Sequence, residues 1–162
     1  MKGYPGRFLP GLVTVFVLLT ATGLLLVPTA LEFRFGWDVA WRLPGDRRTW
    51  VAGLHTALAF AMCGFAGALW SIHVRVGWRS RRHLASGLAI TGLLLATAIT
   101  SLALLYAGDE TWLSSASAAH TLVGVASVAG GAVHWGVTIV ERARRRLVSQ
   151  QTQAGRRSAE PV

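Results

Sequence analysis

The chain has 162 residues, of which 52% are hydrophobic and 14% charged, a balance that fits several membrane spans and excludes an ordinary water-soluble domain. Its formal net charge of +9 would suggest nucleic acid in a soluble protein; here it reads as membrane topology, and no nucleic-acid partner is expected. The single cysteine, Cys63, excludes an internal disulfide, a cysteine-based zinc site, an iron–sulfur cluster and C-x-x-C-H attachment of a covalent cofactor.

Four uncharged apolar stretches follow one another along the chain, at about 8–31, 51–74, 84–106 and 113–140. Each is long enough to cross a hydrocarbon core of about 30 Å at about 1.5 Å per residue. The first is preceded by Lys2 and Arg7 like the core of a secretory signal, but it is longer than such cores and three more spans follow, so it is expected to be retained. The connection from Glu32 to Trp50 carries Phe33, Phe35, Trp37, Trp41, arginines and the turn signal Pro44-Gly45. It reads as a loop on the lipid surface, with a docking surface as the alternative. Trp50, Trp70, Trp78, Trp112 and Trp135 mostly mark span ends, where indole rings favour the headgroup zone.

The expected fold is therefore all-α: a four-helix transmembrane bundle formed by residues 1–146, in contact with membrane lipid, followed by a polar tail over 147–162 expected to fray into disorder. Lys2, Arg7, Arg75, Arg79, Arg81, Arg82 and the six arginines after Val140 fall on one side of the membrane, against Arg34, Arg42, Arg47 and Arg48 on the other. Both termini are expected to be cytoplasmic.

The chemistry sits in histidines at membrane depth, where an ionisable side chain is costly and therefore marks function. His55 and His73 lie in the second span, and His120 and His134, spaced H-x13-H, in the fourth. Each pair shares one helical face, because eighteen steps of about 100° return to the start and fourteen stop about 40° short. The second and fourth spans run in the same direction, so His55 is level with His120 and His73 with His134. Two levels of facing imidazoles suit two stacked b-type haems, or one if the inner level is unused. Small residues line the stripes between them, Gly124, Ser127 and Gly131 on the fourth span and Ala59, Met62 and Ala66 on the second, with Gly67 slightly to one side. Ordinary close packing of membrane helices uses the same residues. The spans contain no Asp or Glu for a carboxylate proton relay.

The fourth span, His120-Thr-Leu-Val-Gly124 through His134, resembles that of bacterial integral-membrane di-haem cytochromes b, the four-helix haem subunits of formate dehydrogenase and hydrogenase type. The resemblance implies residence in a bacterial inner membrane and electron transfer between membrane quinone and a redox partner subunit, without a substrate-converting site in this chain. It makes His120 and His134 ligands to two haems, with His55 the outer partner of His120. Many members take the remaining ligand from the first span, which here has no histidine; His73 is the available substitute. Its helical separation from His55 is about 27 Å, against about 21 Å between His120 and His134. Haem propionates seek basic partners, and Arg75 and Arg79 are the candidates inside, Arg47 and Arg48 outside. The competing reading is a haem-free four-helix scaffold, sensor or small transporter whose histidines pack or bind copper or zinc.

Overall fold

A computed structural model describes residues 6–70 and 84–159 of the chain. Its elements are four helices: α1 (Phe8–Phe35), α2 (Gly45–Leu69), α3 (Leu84–Tyr106) and α4 (Glu110–Ala159). All four are long and apolar enough to cross a membrane, α4 over Glu110–Glu141. The burial pattern is the inverse of a soluble bundle. Among the described residues the buried polar side chains are Thr22, Thr29, Ser117 and Ser127, while Leu24, Phe60, Leu95 and Leu122 are exposed. Large apolar groups on the outside and hydroxyls within suit a lipid solvent, where helices associate through small and polar residues. The chain is a multi-pass membrane protein.

The helices form two hairpins. Helix α1 packs along α2, α3 packs along α4, and α1 also touches α4 and joins the hairpins; α2 and α4 are not a closely packed pair. Glycine lets α1 and α2 approach, since a Cβ on Gly11 would stand 3.2 Å from the Phe65 ring, which also meets Phe8 edge-on at 5.3 Å between ring centres. We call the end of the bundle with the connections at 36–44 and 107–109 the loop end.

Helix boundaries depart from the sequence reading at that end. Pro44-Gly45 is the entry to α2 rather than a free turn: Pro44 takes the cap position with ψ of 155°, and Asp46 in the first turn complements the positive helix end. Glu32 to Phe35 likewise belong to α1, which stops at Gly36 with φ of 65°, a conformation glycine adopts without a Cβ penalty. Helix α4 starts earlier than expected because the Asp109 carboxylate accepts the Trp112 backbone N–H at 3.0 Å, supplying an N-cap. It also runs on to Ala159, so the tail expected to fray from residue 147 is helical over most of its length. No proline interrupts that stretch, and Leu, Gln, Ala and Arg there are good helix formers.

Candidate functional site

His55 on α2 and His120 on α4 face each other across the bundle. Their ring centres are 6.3 Å apart and their planes cross at 85°. The helices that carry them are not packed along one another, so the two rings reach toward each other between them. Both side chains are half-buried.

The neighbouring helices decide which nitrogen each ring offers. Thr22 on α1 lies 3.0 Å from His55 Nδ1, and the Thr22 hydroxyl donates to the Leu18 and Leu19 carbonyls at 2.8 and 3.0 Å. A hydroxyl has one proton and spare lone pairs. With that proton committed to the backbone, Thr22 accepts from His55, placing the imidazole proton on Nδ1 and leaving Nε2 with a bare lone pair.

The same device recurs at His120. Its Nδ1 lies 3.1 Å from the Thr100 hydroxyl and 3.4 Å from that of Ser101 on α3. Thr100 donates to the carbonyls of Ala96 and Thr97, both at 3.0 Å, and Ser101 to that of Thr97 at 2.8 Å. His120 is therefore also an Nδ1–H donor with Nε2 available. Both rings make their hydroxyl contacts through Nδ1. Fixing a ligand imidazole through its other nitrogen is the usual way proteins orient it toward a metal.

The separation fits one acceptor between the rings. With metal–imidazole bonds of about 2 Å and each ring centre about an ångström behind its nitrogen, two imidazoles sharing one metal would stand about 6 Å apart between centres. Unligated edge-to-face rings cover the same range of distance. The hydroxyls at both Nδ1 atoms add to the fit, since they hold each ring by the nitrogen that a ligand imidazole does not use. Among the described residues no three His, Cys, Asp or Glu gather, so the pair fits a metal whose other positions are already filled, as the iron of a porphyrin is. The residues present fit a b-type haem.

The remaining candidates are distributed as follows. His134 lies with Nδ1 3.1 Å from the Ser86 hydroxyl of α3, so both α4 histidines are met by hydroxyls on the same neighbouring helix. A Cβ on Gly124 would meet nothing within 4 Å, leaving open space one turn below His120, whereas one on Gly131 would meet the Phe16 ring of α1 at 3.7 Å. Ser127 faces Thr97 of α3 at 3.3 Å, so the small-residue stripe divides between a gap and ordinary helix packing. His73, Arg75 and Arg79 lie outside the described residues.

Sequence reasoning passed over the supporting shell: Thr22, Gly23, Ser86, Thr100 and Ser101. One signal was present. Ser86 and Thr100 are fourteen residues apart, the interval of His120 and His134, as two antiparallel helices in register require. Thr22→Val keeps the side-chain shape but removes the acceptor for His55 Nδ1–H; haem retention in detergent is expected to weaken about ten- to a hundredfold, measured by spectral titration.

No protein family, curated protein or solved structure matches the chain. The class is defined by fold and site alone: a four-helix membrane protein with a pair of facing imidazoles between its hairpins.

Proposed function

We propose that the chain is a b-type cytochrome, an electron-transfer subunit that holds haem between His55 and His120 and exchanges electrons with membrane quinone and a redox partner protein. The observation that carries this reading is the facing ring pair, 6.3 Å between centres, with both Nδ1 protons bound by hydroxyls of adjacent helices. A haem held there supplies one-electron chemistry. His55 and His120 bind it, Thr22 and Thr100 keep both rings turned, and the apolar spans exclude water from the gap. In this proposal the loop end faces outward from a bacterial inner membrane, with both termini cytoplasmic, following the excess of arginine at the terminal end. A second haem belongs at the level of His134, with His73 as its other ligand.

The test is the dithionite-reduced minus oxidised spectrum of membranes expressing the chain, followed by pyridine haemochrome stoichiometry on the purified protein. The expected result is the band set of a low-spin b haem, with two haems per chain. A purified protein that contains no haem and takes none up rejects the proposal.

A further inference from the structure

A cavity of about 510 Å³ lies on the loop-end side of the histidine pair and is lined by all four helices. Its residues Ala52 and Ser117 each stand three positions, one helical turn, from His55 and His120. Leu26, Ala30, Phe33, Ala52 and Leu104 make its walls apolar, yet Arg34 and Arg48 also line it. Neither guanidinium has a carboxylate partner among the described residues, for Glu32 is taken by Arg42 at 3.0 Å. Arg48 stands over the Phe33 ring at 5.7 Å. Thr29, also in the lining, is only 8% exposed, and its hydroxyl has no hydrogen-bond partner among the described residues.

An unsatisfied buried hydroxyl is costly unless something occupies the space, and the two arginines beside it, both exposed at this end of the bundle, carry charge that no carboxylate among the described residues offsets. The complementary ligand has an apolar body and two negative groups on one edge. A neutral quinone lacks the charge. A haem has both features, since its two carboxylates hang from one edge of an apolar plate, and this cavity adjoins the imidazoles that would hold the iron.

We propose that Arg34 and Arg48 receive the two carboxylates of the haem held by His55 and His120, with the Thr29 hydroxyl as a further donor, so that the carboxylate edge is turned toward the loop end. This rests on the cytochrome reading and adds the orientation of the group and the residues that set its charge balance. Guanidinium–carboxylate pairing is the strong, directional kind of hydrogen bond. Arg47, which the sequence offered beside Arg48 for this role, does not line the cavity; Arg34, from another helix, takes its place.

The experiment compares the full chain with Arg34→Gln, Arg48→Gln and the double variant, reading the midpoint potential by redox titration and the affinity of apoprotein for haem against haem dimethyl ester. Removing positive charge beside the carboxylates favours ferric over ferrous haem, so the potential is expected to fall in each variant and furthest in the double. The native chain is expected to prefer the free acid roughly tenfold, and the double variant to lose that preference, while Arg47→Gln changes neither quantity. An unchanged potential together with an unchanged preference in the double variant overturns the proposal while leaving the cytochrome reading standing. So does a double variant that keeps both but resists reduction by an added short-chain quinol, which would assign the cavity to quinone. A native chain that binds no haem overturns both.

Discussion

With His120 replaced by alanine, the low-spin haem spectrum proposed for the His55 level is expected to disappear, because one imidazole remains where two are needed and no group of metal-binding side chains gathers there among the described residues. Thr100 and Ser101 are the hydroxyls left beside the vacated ring position. Both already donate to backbone carbonyls, and a neutral hydroxyl is a poor axial ligand beside imidazole. Any haem still held would show a high-spin spectrum, or it would be lost during purification. His134→Ala in parallel is expected to leave the His55 level intact and to lower haem stoichiometry from two per chain to one. This contrast separates a ligand from a packing histidine: if His120 served only to hold α3 against α4, its loss would reduce thermal stability in detergent without changing the spectrum. A His120→Ala protein with native low-spin bands would remove the ring pair from the proposed chemistry.

The spans were legible because hydropathy over some twenty residues outweighs any local signal, and the bundle follows from the need to satisfy the backbone without water. The alignment of His55 with His120 was legible too, since helical periodicity and the alternating direction of the spans place them at one level. The supporting hydroxyls were not. Thr20, Thr56, Thr91 and Thr97 all return a hydrogen bond to the carbonyl four residues back, the usual habit of threonine in membrane helices. Thr22 and Thr100 do this as well and, in addition, accept from a histidine on another helix. In sequence the two kinds look alike. The helix ends were misjudged for a different reason: Pro44-Gly45 and the polar residues after it carry turn chemistry, but Asp46 and the following turn favour a helix once the chain turns back toward the bundle.

The first span has no histidine, and its part in the site lies in what it leaves out. Helix α1 runs against His55 at Gly23, where a Cβ would stand 3.1 Å from the ring's Cε1 and 3.7 Å from Nδ1. Because Thr22 is the adjacent residue and holds that same Nδ1, the ring is pressed between a hydrogen bond and a bare stretch of backbone. It has little room to retreat. Gly23→Ala is therefore expected to displace the His55 ring by a few tenths of an ångström, seen as a shifted midpoint potential with the low-spin bands retained. Gly23→Val, with two further methyl groups, is expected to turn the imidazole away from His120 and convert part of any bound haem to a high-spin form. Helix content should remain native by circular dichroism, because valine is tolerated in apolar membrane helices. Gly53, where a Cβ would meet nothing within 4 Å, provides the control: Gly53→Ala on the same helix as His55 should leave the spectrum unchanged. Native low-spin haem in Gly23→Val would mean that α1 does not abut the ligand, and the orientation of His55 would then have to come from α2 and α4 alone.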